Sequence, residues 1–235
     1  MNYGIIINHN GRFGRNNNML INESLWIKDI INKLNLPKGT KILNIGSQDA
    51  GYLKNQSHIK NNVLDPCLDK GYEIISLDIK EGNSIDIVGD ITKEEIQEKL
   101  SKYNFQLVFL SNILEHVTNI KSICDAVNEI LPKKSYIIFT GPYKYPKHLD
   151  PIDNMFRPKP KELLNFFNTY DIIDSDIVQD YTYRYYLTLN FNFFLFTLFR
   201  ILTPFYKFNK WRTVVIPKLK YFNRPYEVTC VLLRK

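Results

Sequence analysis

The sequence predicts an α/β fold: a doubly wound, mostly parallel seven-stranded sheet with helices on both faces. Short apolar runs alternate with helical patterns five times between residues 41 and 140, which is typical of a parallel sheet with crossover helices. Small or acidic residues follow these runs at Gly46, Asp78, Asp90, Ser111, Asn112 and Gly141. Because ligands of such sheets bind outside the carboxyl ends of the strands, a ligand site is expected at that edge.

The elements before residue 141 follow from the spacing of apolar residues. Helical spacing predicts an amphipathic helix over 22–35, and Pro37 and Gly39 separate it from the first strand. Strands are predicted at 41–45, 73–77, 85–88, 106–110 and 136–140. Helices are predicted within 50–60, at 92–103 and at 120–131. Gly141 and Pro142 are expected to stop the fifth strand.

A different pattern begins after Gly141. The sequence predicts a loop at 142–160, a helix at 160–168, a sixth strand at 170–178, an aromatic segment at 185–210 and a last strand at 227–233. The last strand is antiparallel by its position, and an aromatic helical insertion precedes it. We expect three regions: an N-terminal lead-in and helix at 1–40, an α/β core at 41–180, and a helical insertion or lid with the final strand at 181–235.

Composition argues against several classes of protein. The formal net charge is +7, but acidic residues are interleaved with the lysines and no block of five like charges occurs, so no nucleic-acid partner is predicted. Cys67, Cys124 and Cys230 form no C-x-x-C pair. This usage favours a reducing cytoplasm and predicts neither a disulfide framework nor a metal site. No apolar run reaches the length of about 18 residues that a membrane span requires.

Two neighbouring strands end as they do in nucleoside-binding sheets. The run 41–45 enters the small-residue turn at Gly46, and the run 74–77 ends at Asp78. Backbone amides approach the ligand at such a turn, and an acid at the next strand end takes the ribose hydroxyls. The two residues are 32 positions apart, against about 20 in the dinucleotide fingerprint. Gly-x-Gly-x-x-Gly is absent, so a nicotinamide dehydrogenase is the weaker reading.

In this order the motifs resemble those of class I S-adenosylmethionine-dependent methyltransferases, closest to the small-molecule enzymes found beside surface-polysaccharide biosynthesis. The resemblance covers about residues 40–180 and implies a Rossmann-like methyltransferase fold. The matching segments are 42–47, 77–78, 88–91, 109–117 and 148–157. The sequence departs from the family at Asn44, where Asp or Glu is usual, and at Gln48, which replaces the second glycine.

The resemblance implies S-adenosyl-L-methionine as the cofactor. The residues that it places on the cofactor are Asn44, Gly46, Ser47, Gln48, Asp78, Ile79, Asp90, Ile91, Ser111 and Asn112. His116 and His148 are the candidate catalytic bases, because histidine titrates near neutrality. Asp153 and Arg157 are candidates for binding the substrate. The alternatives are a packing role for His116, a loop-anchoring hydrogen bond for His148, and a solvated ion-pair cluster for the two charged residues.

The implied activity is methyl transfer to a small or sugar-like acceptor, at oxygen. The alternative is a catalytically silent relative that serves as a binding or membrane-surface module. The aromatic segment leaves a related choice open. It is either a pair of helices that cover the sheet edge, a lid, or a surface of residues 187–212 that rests on a membrane, where Lys207, Lys210 and Arg212 would face the lipid headgroups.

Overall fold

The computed structural model describes residues 19–47, 56–148, 152–189 and 191–235, without the side chain of Lys210. Within these ranges it contains one seven-stranded sheet with the order β3-β2-β1-β4-β5-β7-β6. The strands are β1 (Lys41–Ile45), β2 (Glu73–Asp78), β3 (Ile87–Val88), β4 (Leu107–Ser111), β5 (Tyr136–Lys144), β6 (Asp171–Thr182) and β7 (Pro225–Arg234). Neighbours among β1 to β5 are parallel, and β7 runs antiparallel to both β5 and β6. The predicted fold class is confirmed, including the antiparallel last strand.

Helices flank the sheet and join its strands. The α-helices are Ile21–Lys33, Ser57–Ile59, Asp65–Asp69, Glu94–Ser101, Ile120–Ile130, Tyr183–Thr188, Phe191–Leu202, Phe208–Lys210 and Ile216–Leu219. Turns of 3₁₀-helix lie at Leu114–His116 and Pro160–Asn165, and π-helical turns lie at Lys60–Leu64 and Trp211–Val215. The helix predicted at 160–168 is therefore the shorter 3₁₀ turn. The first part of the helix predicted within 50–60 lies outside the described residues.

The strand β5 does not stop at Gly141, as the sequence predicts, but continues to Lys144. The reason is tertiary: β7 lies beside it, with Gly141 opposite Thr229 and Pro142 opposite Val228, and an irregularity in the pairing follows between Pro142 and Lys144. Glycine is required here, because a Cβ atom at Gly141 would lie 2.9 Å from Cζ of Phe139.

Alternate residues of the strands bury opposite faces of the sheet, as a doubly wound fold requires. On one face Ile42 and Phe109 pack with Ile27 and Ile31 of the first helix. On the other face Val108 belongs to a cluster with residues of the helices Glu94–Ser101 and Ile120–Ile130. With both faces covered, polar groups that serve a ligand are confined to the strand ends.

The aromatic segment forms helices between β6 and β7. The helix Tyr183–Thr188 packs on β7 through Tyr183, Leu187 and Tyr226. Within the described part of the chain, none of the helices combines the length and the apolar character needed to cross a bilayer.

Candidate functional site

A cleft opens at the carboxyl ends of β1 and β2, at the edge that the sequence predicts. It is an open depression with a cavity volume of only about 10 Å³. The lining residues are Ile45, Gly46, Leu77, Asp78, Ile79, Gly89, Ile91 and Ile113. The structure thus brings together four of the candidates from the sequence: Gly46, Asp78, Ile79 and Ile91.

The turn at Gly46 ties the first strand end to the second. Gly46 has φ +69°, a left-handed conformation that favours glycine. Its N–H donates to the carbonyl of Leu77 at 2.8 Å, and the N–H of Ser47 donates to the same oxygen at 3.3 Å. The hydroxyl of Ser47 is buried and has no hydrogen-bond partner among the described residues. These bonds tie the start of the turn to the end of β2, and a small polar group lies buried there.

Two further cofactor candidates, Asn44 and Ser111, lie near the strand ends but outside the lining of the cleft. Asn44 is half-buried within β1, between Ser76 of β2 and Phe109 of β4. Ser111 ends β4, and its hydroxyl is buried without a partner in the described part of the chain. Gln48 lies outside the described residues.

The carboxylate of Asp78 is held at the end of β2. Its Oδ1 accepts the N–H of Lys80 at 2.9 Å, and its carbonyl accepts the N–H of Gly89 at 2.8 Å. Only 5% of Asp78 is exposed. These bonds fix the direction of the side chain beside the cleft before any ligand binds, which is the preorganisation that a binding site needs.

Asp90 is also held by local bonds. Its Oδ1 accepts both the N–H of Thr92 at 2.9 Å and the hydroxyl of Thr92 at 2.8 Å. This is the bonding of a residue that begins a turn before the helix Glu94–Ser101. The neighbouring Ile91 is buried in the wall of the cleft. The pair thus supplies an acid and an apolar wall at the end of β3.

The two candidate histidines meet in space. The rings of His116 and His148 are nearly perpendicular, with centroids 4.9 Å apart, and their Nε2 atoms are separated by 3.3 Å. Nδ1 of His116 lies 2.7 Å from the carbonyl of Ile152. Since a carbonyl oxygen only accepts, Nδ1 carries the proton, and Nε2 of neutral His116 is an acceptor.

Asp153 organises the segment that carries His148. Its Oδ2 accepts the backbone N–H of His148 at 3.0 Å and Nη2 of Arg157 at 2.8 Å, and its Oδ1 accepts the N–H of Met155 at 2.8 Å. Burial opposes ionisation, but hydrogen bonds from His148 and Arg157 hold the pKa of Asp153 well below its usual range. The ion pair is therefore buried rather than solvated, contrary to the alternative that the sequence leaves open.

No model of a known protein family and no curated protein matches this sequence, but solved structures match its fold. Coclaurine N-methyltransferase, crystallised with N-methylheliamine and SAH, superposes with a TM-score of 0.57 at 13% identity, over 91% of this chain and 71% of that one. The chain has the class I methyltransferase fold. A SAM-dependent methyltransferase from Archaeoglobus fulgidus gives a TM-score of 0.53 at 14% identity, over 90% of this chain and 94% of that one. The [4+2]-cyclase SpnF gives a TM-score of 0.52 at 11% identity, over 89% of this chain and 80% of that one.

In this methyltransferase fold, Asn112 at the end of β4 bonds to the first helix. Its backbone has φ +53°, and its N–H donates to the carbonyl of Thr140 at 2.8 Å. Its side-chain amide donates to Oε1 of Glu23 at 2.7 Å. Asn112 was a cofactor candidate from the sequence, and the structure shows that its amide is engaged by another part of the chain.

Glu23 itself is a residue that the sequence reasoning missed. Only 1% of it is exposed, and its Oε2 accepts the N–H of Leu20 at 2.8 Å. Burial raises the pKa of Glu23 to about 7, although the nearby hydroxyl of Thr140 and hydrogen bonds from Leu20 and Asn112 oppose the shift. A glutamate three residues into a helix is a recognisable capping signal, but its burial against Asn112 depends on tertiary packing.

Glu115 is a second buried acid at the candidate site. Its Oε1 lies 3.8 Å from Nε2 of His116. Burial raises the pKa of Glu115, although the charges of His116, His148 and Arg157 oppose the shift. The carboxyl group of Glu115 and the imidazoles of His116 and His148 therefore lie together. Glu115 and His116 follow closely in the chain after Ile113, which lines the cleft.

Proposed function

We propose that the chain is an S-adenosylmethionine-dependent methyltransferase that acts on a small or sugar-like acceptor, at oxygen. The observation that carries the proposal is the pairing of the Gly46 turn with the Asp78 carboxylate at one cleft, within a class I methyltransferase fold. Coclaurine N-methyltransferase, which shares the fold, was crystallised with SAH. The role in surface-polysaccharide biosynthesis is part of the same proposal.

The residues around the cleft fit the adenosyl part of this cofactor. The carboxylate of Asp78 would accept the ribose hydroxyls, and the turn at Gly46 places no side chain between backbone and ligand. Ile79 and Ile91 would pack on the adenine faces, and Asp90 would accept from its amino group. The other proposed cofactor residues are Asn44, Ser47, Gln48, Ser111 and Asn112.

The chain's own catalytic task is positioning and proton transfer. The cofactor supplies an activated methyl group when bound. In-line displacement requires the acceptor atom to be held about 3–3.5 Å from the methyl carbon. Nε2 of His116 is an acceptor when the ring is neutral, so it can take the proton of a hydroxyl group. His148 is the second candidate base.

Asp153 and Arg157 are proposed to serve the acceptor side of the site. Oδ2 of Asp153 accepts both Nη2 of Arg157, at 2.8 Å, and the backbone N–H of His148, at 3.0 Å. The geometry therefore supports positioning of His148 as their first role, with the acceptor bound against the same segment.

Calorimetric titration tests this proposal. We expect the purified chain to bind S-adenosylmethionine and S-adenosylhomocysteine with one site each and not to bind NAD. NAD is the matched control, since it carries the same adenosine on a different reactive group. Binding of NAD alone would favour a dehydrogenase, and binding of none of the three would favour the silent relative.

A specific observation supports a second function for the aromatic segment, peripheral contact with a membrane. The helix Phe191–Leu202 turns Thr197 inward, where its hydroxyl lies 3.4 Å from the hydroxyl of Tyr183. Phe193 packs beside Tyr183, but most of the other large apolar side chains of the helix point outward. We define the outer apolar surface as Phe191, Phe194, Leu195, Phe196, Leu198, Phe199, Leu202, Phe205, Tyr206 and Phe208, all of which are exposed. A polar residue inside and apolar residues outside is the reverse of the pattern on a water-facing helix.

Basic side chains accompany the outer apolar surface. Arg200 and Lys207 lie over the ring of Tyr206, at 5.6 and 5.3 Å from its centroid. Cations beside exposed aromatic residues suit the headgroup layer of an anionic bilayer. We propose that residues 187–212 rest on such a surface. A cytoplasmic location is proposed with it, supported by three free cysteines that are all buried.

Vesicle sedimentation tests the membrane proposal. We expect the chain to sediment with phosphatidylserine-containing vesicles, more weakly with phosphatidylcholine alone, and less at high salt, because the charge attraction is screened. Replacing Phe196→Glu and Phe199→Glu together should abolish the binding, and Leu68→Glu, at an exposed apolar residue elsewhere, should not. Equal binding by both variants, or no binding by the parent chain, would exclude the contact.

A further inference from the structure

We propose that Glu115, His116 and His148 form a binding site for a divalent transition-metal ion of the zinc type. The sequence predicts no metal site, because its three cysteines form no C-x-x-C pair. The two histidines lie 32 residues apart in the chain and meet only in the folded structure. The site itself is inferred from the side-chain geometry alone. Its role in catalysis rests on the proposed methyltransferase function.

The separation of the two histidine nitrogens matches that in a mononuclear metal centre, and a carboxylate oxygen lies close enough to move onto the same ion. The two Nε2 atoms are 3.3 Å apart, and two histidine nitrogens on one tetrahedral zinc ion are separated by about 3.3 Å, given Zn–N bonds of about 2.0–2.1 Å. One carboxylate oxygen of Glu115 and one nitrogen of each histidine all lie within 4.8 Å of one another. Two histidines and one carboxylate are a common ligand set for catalytic zinc.

The placement of the protons on the two imidazoles leaves room for a cation between their Nε2 atoms. Nδ1 of His116 donates to the carbonyl of Ile152, and Nδ1 of His148 lies 3.2 Å from Oδ2 of Asp153, which also only accepts. With the proton of His148 on Nδ1, facing the carboxylate of Asp153, each neutral ring directs the lone pair of Nε2 at the other ring. Two lone pairs 3.3 Å apart repel each other unless a cation lies between them. The buried carboxyl group of Glu115 beside them favours a metal ion over a single shared proton.

The groups behind the ligands are those that support metal-bound histidines. A histidine on a metal almost always donates its other N–H to a carbonyl or a carboxylate. His116 does so to the carbonyl of Ile152, and the carboxylate of Asp153 lies 3.2 Å from Nδ1 of His148. Asn154 holds the two ligand segments together. Its N–H donates to the carbonyl of Glu115 at 2.9 Å, and its side-chain amide donates to the carbonyl of Leu114 at 2.7 Å. The ligands are therefore positioned before an ion arrives.

An ion at this site would act on the acceptor. Three protein ligands leave one position of a tetrahedral ion open, and a hydroxyl bound there has a lowered pKa. Its O–H bond would break, the electron pair would stay on oxygen, and the proton would pass to water. The two histidines would then be ligands rather than bases. The chemical class of acceptor that this selects is an alcohol or a sugar hydroxyl.

Cobalt(II) titration of the chelator-treated full chain tests the site. Visible absorption reports the coordination number, and we expect one equivalent to bind with the strong d–d bands of a four-coordinate ion. His116→Gln and His148→Gln should weaken binding at least 100-fold, and Glu115→Gln about 10-fold or more. His58→Gln is the matched control, since His58 bonds to the carbonyl of Met19 and lies outside the site.

Titration of the same variants with S-adenosylhomocysteine distinguishes the loss of a metal ligand from the loss of the folded structure. A His148→Gln chain that binds this nucleoside but not cobalt supports the metal site. Cobalt binding by His148→Gln equal to that by His58→Gln, or no cobalt binding by the parent chain, overturns it and leaves a shared proton between the rings. Cobalt binding without nucleoside binding would sustain the metal site and remove the proposed cofactor instead.

Discussion

Asp78→Ala is expected to weaken the binding of S-adenosylhomocysteine about 100-fold. The carboxylate would accept two ribose hydroxyls, and hydrogen bonds to a charged group are worth about 1.5–3 kcal/mol each. A loss of about 3 kcal/mol corresponds to about two orders of magnitude in Kd. Calorimetric titration of the variant beside the parent chain measures the change.

Two further variants show whether the effect is specific. Asp78→Asn keeps an acceptor for the N–H of Lys80 and should therefore preserve the turn while losing most of the affinity. Asp29→Ala removes an exposed carboxylate that pairs with Lys33 on the first helix, and it should bind as the parent chain does. An unchanged affinity in Asp78→Ala would move the ribose contact to another residue.

Glu23 is expected to make the free energy of unfolding fall as the pH rises. Its carboxyl has a pKa of about 7 in the folded chain, against 4.5 when exposed to water. Below pH 4.5 both states hold the proton. Between pH 4.5 and 7 the folded state holds it and the unfolded state releases it, so raising the pH favours unfolding. At about 1.4 kcal/mol per pH unit, the free energy of unfolding falls by about 3 kcal/mol, and this decrease is complete above pH 7.

Glu23→Gln removes this titration. Denaturant unfolding at a series of pH values should therefore show the variant gaining about 3 kcal/mol on the parent chain between pH 4.5 and 8. Glu162→Gln is the matched control for capping, since Glu162 accepts the N–H of Lys159 at an exposed helix start. A difference between Glu23→Gln and the parent chain that stays constant with pH would contradict the assignment.

The protonation of Glu23 also bears on the cleft. Its Oε1 accepts the side-chain amide of Asn112, which follows β4 and precedes Ile113 in the cleft wall. Ionisation strengthens the acceptor in this bond. Raising the pH therefore strengthens the bond between the first helix and the end of β4, while it lowers the free energy of unfolding.

The strand ends could be read from the sequence because their signals are local. A run of apolar residues followed by glycine, as at Gly46, or by an acid, as at Asp78, marks a buried strand and what comes after it. Their meeting at one cleft then follows from the parallel order of β1 and β2. The extension of β5 past Gly141 could not be read in this way, because it depends on the partner strand β7.

The sequence by itself determined the layered sheet, the edge that carries the cleft and the carboxylate of Asp78 that lines it. The tertiary structure alone decided the pairing of His116 with His148 and the burial of Glu23 against Asn112, which join residues 32 and 89 positions apart. The physical reason is the distance along the chain over which each kind of signal acts. Periodicity and turn chemistry act over a few residues, but the protonation and the ligand geometry of a buried polar group are set by whichever distant segment packs against it.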